Sequence, residues 1–154
     1  MGYNGEMPKP LCIFLHSDGY DRIYQAVNMI ATAAGAGRRC HLFLFYHALG
    51  SYMAGAWDNM NLSPSAGRVD GAHGESPPWA LTLERSFELA NLPSLYEVLK
   101  RAKEEEGEVT VYACSNSMRY LDLEPDGVKR RVDGIVGLAT MLDVSSEACQ
   151  VLYL

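Results

Sequence analysis

The sequence lacks the signals of a secreted, membrane-spanning or nucleic-acid-binding protein. Its longest apolar run, residues 42–49, is of strand length and is interrupted by His47, whereas a membrane span requires about 20 apolar residues. Residues 1–10 contain no basic stretch followed by an apolar core, which is the pattern of a signal peptide. We therefore expect a single cytoplasmic domain over residues 1–154, with no membrane span.

Positive charge is also scarce. The chain has 13 basic and 19 acidic residues, so its formal net charge is −6 at pH 7. Binding to nucleic acid draws on clustered Lys and Arg side chains. The two basic clusters, Arg38-Arg39 and Lys129-Arg130-Arg131, are interpreted as solvated loops or helix ends. We expect small molecules or other proteins as partners, and no nucleic acid.

Several motifs with well-understood chemistry are absent. The four cysteines, Cys12, Cys40, Cys114 and Cys149, form no C-x-x-C pair, which excludes a zinc ribbon or a thioredoxin motif. The sequence contains no Walker-type phosphate loop, no complete dinucleotide fingerprint and no G-x-S-x-G elbow. We therefore expect free thiols, no metal and no cofactor, and the sequence does not favour nucleotide or phosphate binding.

What the sequence does contain is a regular alternation of apolar runs and segments of helical periodicity. Continuous apolar runs are typical of parallel strands that are covered on both faces. The predicted strands are 11–16, 41–46, 108–113, 135–136 and 149–154, and the predicted helices are 20–34, 81–90, 93–106, 118–123 and 137–147. This order predicts an α/β fold with a mostly parallel sheet of four or five strands.

One long segment interrupts the alternation. Residues 49–79 are rich in Gly, Pro, Ser and Asn, and irregular segments of this length are uncommon in compact domains. Two interpretations stay open: a lid, binding loop or interface arm, or a partly ordered surface loop. Residues 127–132 are predicted to be a shorter polar linker.

The predicted topology brings polar residues to one edge of the sheet, because ligands bind outside the carboxyl ends of parallel strands. His16-Ser17-Asp18, Tyr46-His47 and Cys114-Ser115-Asn116-Ser117 each follow a predicted strand, and Asp18 is a plausible helix N-cap. The other three cysteines are interpreted as small buried hydrophobic residues.

Cys114 directly precedes a predicted helix. The free amides and the dipole at a helix N-terminus stabilise a thiolate, and Arg119 would add positive charge. Backbone N–H groups of Asn116 and Ser117 would hold an anionic sulfur, and His16, Ser17 and Asp18 would line a neighbouring pocket. The alternative interpretation is a structural, unreactive thiol.

The segment Tyr112-Ala113-Cys114-Ser115-Asn116-Ser117-Met118 resembles the cysteine motif of the DsrE family of sulfur-relay proteins. It is most similar to the subgroup associated with rhodanese and TusA proteins. Residues 42–49, 92–95 and 132–140 resemble other segments of that subgroup in the same order, so the resemblance covers most of residues 11–154. Residues 51–79 differ, because the corresponding segment of the subgroup is richer in Met and apolar residues.

The resemblance implies a flavodoxin-like three-layer sandwich that forms homo-oligomers. It also implies a sulfurtransferase or sulfur carrier with Cys114 as the persulfide-bearing residue, and TusA-like or rhodanese-like proteins as donor and acceptor. The residues expected to bind the substrate are His16, Ser17, Asp18, Ser115, Asn116, Ser117, Met118 and Gly137. The alternative function is a non-catalytic, oligomeric binding or regulatory module of the same fold with an inert cysteine.

Overall fold

The described part of the chain is built on a parallel sheet. A computed structural model describes residues 9–58, 92–106 and 108–154. The five strands of these ranges are β1 (Leu11–Leu15), β2 (Cys40–Leu44), β3 (Val109–Cys114), β4 (Gly134–Val136) and β5 (Gln150–Tyr153). All neighbouring pairs are parallel. The predicted α/β class, with its parallel sheet flanked by helices, is confirmed.

Helices connect the strands. In the described ranges they are α1 (Tyr20–Gly35), α2 (Tyr46–Met53), α3 (Leu95–Arg101), α4 (Ser115–Tyr120), α5 (Pro125–Lys129) and α6 (Leu138–Ser146). A wider helical turn, Ala102–Glu106, extends α3. The predicted helix 81–90 and residues 59–79 of the predicted insertion lie outside the described residues.

Two predicted irregular segments are partly helical, so these predictions were wrong at their ends. The predicted insertion begins at residue 49, but α2 continues to Met53 because Ala48, Leu49 and Tyr52 form one buried face. The predicted linker 127–132 overlaps α5, which has a proline in its first turn and buries Val128.

The start of α3 also differs from the prediction. The sequence predicts that the helix begins at Pro93, whereas Ser94 caps the helix and Leu95 is its first residue. The Ser94 hydroxyl accepts a hydrogen bond from the Glu97 N–H at 3.1 Å, and Ser94 N–H donates to the Glu97 carboxylate at 3.0 Å. This reciprocal pair satisfies two amides that have no partner within the helix.

The strand order is β4-β3-β2-β1-β5. The first four strands follow one another across the sheet, and the chain then returns to place β5 on the far side of β1. Flavodoxin itself has the order 2-1-3-4-5, so here the last strand occupies the place beside β1 that flavodoxin gives to its second. The connections that lead to β2 and to β5, the two neighbours of β1, therefore run in opposite directions across the sheet. Such a switch point opens a crevice at the carboxyl ends of the strands.

The two faces of the sheet bury different side chains. Ile13 and Leu15 of β1 belong to the larger core, which α1 and α3 cover with residues such as Ile30 and Leu99. The opposite face forms a smaller core, which includes Met141 of α6. All five residues of β1 are buried, as expected for a strand covered on both sides.

A row of aromatic rings crosses the face that α6 partly covers. Phe14, Phe43, Tyr112 and Tyr153 occupy the same level of four adjacent strands. Ring centroids are 4.8 Å apart for Phe14 and Phe43, 5.1 Å for Phe43 and Tyr112, and 4.9 Å for Phe14 and Tyr153. Each such pair contributes about 0.5–1.5 kcal/mol beyond its buried area.

The row ends on β4 at Gly134, which is the register partner of Tyr112. A Cβ atom at this glycine would lie 3.2 Å from the Tyr112 ring, which is closer than ordinary van der Waals contact. The absent side chain therefore leaves room for the ring.

Asp133 attaches the short strand β4 to β3. Its N–H donates to the Val111 carbonyl at 2.8 Å, and its carboxylate accepts from the Val111 N–H at 2.7 Å. The Lys103 ammonium lies 2.8 Å from both carboxylate oxygens. β4 has only three residues. The contacts of Asp133 at the N-terminal end of β4 therefore determine the position of the strand and of Gly137, which follows it.

We expect Asp133→Ala to lower the free energy of unfolding by about 1.5–3 kcal/mol, because it removes a charge-assisted hydrogen bond to a strand amide and leaves Lys103 unpaired. Urea unfolding followed by circular dichroism measures this loss. Asp126→Ala is the matched control, since its carboxylate is 90% exposed and lies 3.8 Å from Lys129, and we expect a change below about 0.5 kcal/mol. Equal losses in the two variants would contradict the role of Asp133.

Candidate functional site

Cys114 lies at the carboxyl edge of the sheet, as predicted. It is the last residue of β3 and the N-cap of α4. Its side chain points to the α6 face, where it packs in the smaller core with Phe43, Phe45 and Met141. The residue is 3% exposed. The predicted junction of strand, cysteine and helix is thus present, but its thiol is enclosed by apolar side chains.

The helix after Cys114 begins earlier than predicted. It spans Ser115–Tyr120 rather than 118–123, so Asn116 and Ser117 lie in its first turn. Their amides are close to the cysteine in sequence, as the thiolate hypothesis requires. The Cys114 side chain, however, accepts no capping hydrogen bond from this turn. Cys114 thus lies where the sequence predicts it, and the contact of these amides with a bound persulfide stays a prediction.

Other predicted residues group around the same junction. Val136 is the register partner of Cys114, and a Cβ atom at Gly137 would lie 3.9 Å from the Ser115 hydroxyl. Gly137 therefore lies beside the loop that carries Cys114. Ser117 is fully buried, and its hydroxyl has no hydrogen-bond partner among the described residues.

Met118 and Asn116 are placed less favourably for contact with the sulfur. Met118 packs against the larger core, on the opposite side of the sheet from the Cys114 side chain. Asn116 is exposed. Among the residues predicted around Cys114, Ser115 and Gly137 are therefore the two that the structure brings together beside it.

A second group of predicted residues lines a separate cleft. His16, Ser17 and Asp18 border a cleft of about 480 Å³ at the carboxyl end of β1. Its other lining residues are His47, which follows the second predicted strand, and three residues with no such signal in the sequence: Arg22, Tyr153 and Leu154. Tyr153 and Leu154 reach it because β5 pairs with β1, with the Leu154 carbonyl accepting from His16 N–H at 2.8 Å. This pairing has no signal in the local sequence.

The turn that leads into α1 has a different cap from the predicted one. Asp18 was predicted as the N-cap, whereas Gly19 is the N-cap and contributes no side chain. The Ser17 hydroxyl accepts a hydrogen bond from Gly19 N–H at 3.0 Å. Because Ser17 closes this turn, Asp18 is left exposed at the cleft.

Phe45 lies between the cleft and the cysteine. His16 stacks on Phe45 with ring centroids 4.4 Å apart, and Phe45 shares the smaller core with Cys114. The next level toward the carboxyl edge lies two residues further along each chain segment. It is formed by His16 after Phe14, Phe45 after Phe43, and Cys114 after Tyr112. Two strand spacings, about 10 Å, separate the two ends of this level.

The junction after β2 holds a strained residue. Tyr46 has a φ of 35°, in the left-handed region where side chains other than glycine are disfavoured. It is 46% exposed and stacks loosely on Tyr120, with centroids 6.2 Å apart. Strain of this kind concentrates at functional edges, and here it lies between the cleft and the Cys114 loop.

The remaining cysteines differ from one another. Cys12 and Cys40 are fully buried, as predicted, and burial raises the pKa of each thiol to about 11. The prediction of a buried Cys149 was wrong, because it lies exposed just before the edge strand β5. An Arg38 guanidinium nitrogen lies 2.8 Å from its sulfur. Cys149 is thus the accessible thiol against which Cys114 can be compared.

Two further observations concern the described residues as a group. Within 9–58, 92–106 and 108–154, no set of three or more His, Cys, Asp and Glu side chains is arranged to hold a metal ion. Across the same ranges, none of the helices has the length and apolar character required to cross a membrane.

For Tyr46 we expect glycine to be better tolerated than alanine. Both substitutions remove the contact with Tyr120, but only glycine adopts a positive φ without a steric cost, so Tyr46→Gly should exceed Tyr46→Ala in unfolding free energy by about 1 kcal/mol. Urea unfolding of the two variants measures the difference. Alanine as stable as glycine would show that the backbone at this junction is unstrained.

His16 should make the fold sensitive to acid. Burial lowers the pKa of His16 below its ordinary value, so its neutral form is favoured in the folded state. The associated stability is present above about pH 6.5 and is lost as the pH falls toward the lowered pKa. His16→Phe keeps a ring beside Phe45 and removes the titration. It should therefore lose less stability than the wild type between about pH 7.5 and about pH 5.5, and identical losses in urea unfolding would contradict this.

No protein-family model matches the chain, and no curated protein matches it. The resemblance to the sulfur-relay family therefore rests on the residue motifs alone, and the site is interpreted from its own geometry.

Proposed function

We propose that this protein is a sulfur carrier that holds sulfane sulfur as a persulfide on Cys114 and passes it to the thiol of an acceptor protein. The observation that supports this proposal best is the position of Cys114, which ends the strand β3 and caps α4 at the carboxyl edge of a parallel sheet. This is the edge at which α/β proteins bind their ligands.

The reaction requires one nucleophilic sulfur and no redox partner. The Cys114 thiolate attacks the outer sulfur of a donor persulfide, so a new S–S bond forms and the donor leaves as a thiolate. The acceptor thiolate then attacks the outer sulfur on Cys114, and the Cys114 thiolate leaves. Each step exchanges one S–S bond for another, and the overall oxidation level is unchanged.

The surroundings of Cys114 both help and oppose this chemistry. Phe43, Phe45 and Met141 share the smaller core with Cys114 and separate its sulfur from solvent, whereas its position before α4 places it next to the amides at the start of that helix. Because Cys114 is 3% exposed as a residue, its sulfur reaches a protein donor only after neighbouring side chains move. In this proposal, movement of Phe45 connects the sulfur to the cleft, and the side-chain-free Gly137 beside Ser115 leaves space at the other side.

The cleft is the proposed position of the donor. His16, Arg22 and His47 line it, and these are side chains suited to an anionic sulfane group. The predicted substrate residues Ser17 and Asp18 lie at the same cleft. TusA-like or rhodanese-like proteins remain the predicted donor and acceptor, and the homo-oligomer remains a prediction.

A second function is favoured by the burial of the thiol. A binding or regulatory module of this fold would keep Cys114 as an inert core residue. The exposure of Leu138 and Leu142 on α6, at 53% and 61%, supports this alternative, because paired exposed leucines on one helix suit a protein contact. The two functions differ in the reactivity they require of Cys114.

Mass spectrometry of sulfur loading separates these functions. The protein is incubated with a low-molecular-weight persulfide and digested, and the peptides that contain Cys114 and Cys149 are measured. If Cys114 is the carrier, its peptide gains one sulfur atom in the wild type and in Cys149→Ser, and this added sulfur is released when an acceptor thiol is supplied.

In the wild type, the exposed thiol of Cys149 reports non-specific loading. Cys149→Ser is the matched control because it removes that thiol and leaves Cys114 in place. Sulfur found on Cys149 but not on Cys114 would overturn the carrier function and support the inert module. Alkylation kinetics give an independent measurement: a carrier requires Cys114 to react at a measurable rate in the folded protein, whereas a core thiol reacts only as fast as the protein unfolds.

A further inference from the structure

A second cavity lies away from the carboxyl edge of the sheet. It has a volume of about 310 Å³ and lies between α3 and the segment that joins α5 to β4. Five cationic and two acidic side chains line it: Lys100, Lys103, Lys129, Arg130 and Arg131, with Glu104 and Asp133. Five of the 13 basic residues of a chain with net charge −6 therefore converge on this one cavity.

Two of these cations are held firmly in its wall. Lys103 forms the ion pair with Asp133 described above. The Arg131 guanidinium lies 2.8 Å from the Asp58 carboxylate, and it lies over the Tyr52 and Tyr96 rings at 5.0 and 4.8 Å from their centroids. The Tyr52 hydroxyl also donates to the Arg131 carbonyl at 2.9 Å. These contacts fix the shape of the wall.

The other three cations are loosely held. Lys100 lies 3.9 Å from Glu104 and Lys129 lies 3.8 Å from Asp126, with each side chain more than half exposed. Pairs of this kind contribute little to stability. Arg130 is exposed and forms no ion pair among the described residues. Three exposed cations that are weakly paired or unpaired among the described residues therefore line the cavity and are available to a ligand.

We propose that this cavity binds a small multivalent oxyanion of the phosphate or diphosphate class. A multivalent anion suits this set of side chains because it can contact several of the cations at once, whereas a monovalent anion neutralises only one of them. The size agrees with a small ligand, since about 310 Å³ equals the volume of roughly ten water molecules.

The proposed ligand does not depend on Cys114. The lining residues come from α2, from α3 and the helical turn that extends it, from the end of α5 and from the segment that enters β4, and none of them belongs to the proposed sulfur site. Failure of one proposal therefore leaves the other unaffected. The same cations would also attract an acidic peptide, and the experiment below includes that ligand as a separate outcome.

Isothermal titration calorimetry with inorganic pyrophosphate tests the proposal on the full chain. We expect binding with a dissociation constant below about 1 mM in about 50 mM NaCl, weakened severalfold in about 300 mM NaCl because exposed charges are screened. The double variant Lys129→Gln/Arg130→Gln should weaken binding at least about tenfold, since each charged contact contributes on the order of one decade. Lys100→Gln should weaken it severalfold.

Arg101→Gln is the matched control, because Arg101 is exposed on the same helix as Lys100 but does not line the cavity. It should bind pyrophosphate with unchanged affinity. Circular dichroism of each variant establishes that the fold is retained. No heat of binding at about 10 mM pyrophosphate, an equal loss in Arg101→Gln, or binding of a polyglutamate peptide without binding of pyrophosphate would each overturn the proposal.

Discussion

The packing of aromatic rings across the parallel sheet is the interaction on which the candidate site depends. Phe14, Phe43, Tyr112 and Tyr153 lie at one level of four strands, with neighbouring centroids 4.8–5.1 Å apart. A slip of one strand by one residue would turn its ring to the other face, so the row fixes the register. The next level above it holds His16, Phe45 and the Cys114 side chain, and their spacing follows from the same register.

This arrangement places two opposing demands on Cys114. As the residue that ends β3 and precedes α4, it has the location of a reactive thiol. As a neighbour of Phe43 and Met141, it has the surroundings of a core residue. Both descriptions apply to one position because the smaller core extends to the carboxyl edge of the sheet. Whether the thiol reacts depends on the free energy needed to move the apolar side chains that enclose it.

The charge of the molecule is distributed unevenly, and its two described cavities differ in kind. The cleft at the end of β1 is lined by His16, Asp18 and Arg22 among others, a mixed set of charges. The cavity beside α3 is mainly cationic although the whole chain is acidic. The cleft and the cavity can bind different ligands because their positions and charges differ. An anion is attracted more strongly to the mainly cationic cavity beside α3 than to the cleft of mixed charge at the end of β1.

The alternation of apolar runs with helical periodicity determined the α/β class, the parallel strands and the position of Cys114 between a strand and a helix. These are local properties, because burial on both faces of a strand and the free amides at a helix start depend on neighbouring residues. Ser17 and Asp18 were assigned to a strand end by the same reasoning, although the cap of α1 proved to be Gly19.

Only the tertiary structure decided which strand ends meet. The return of β5 to the side of β1 brings Tyr153 and Leu154 to the cleft, and the local sequence contains no information on that pairing. The cavity beside α3 is lined by Lys100 together with Arg130, two residues that are 30 positions apart in the sequence. The burial of Cys114 was decided in the same way, because contacts between residues distant in the chain depend on the global packing of the sheet rather than on any local pattern.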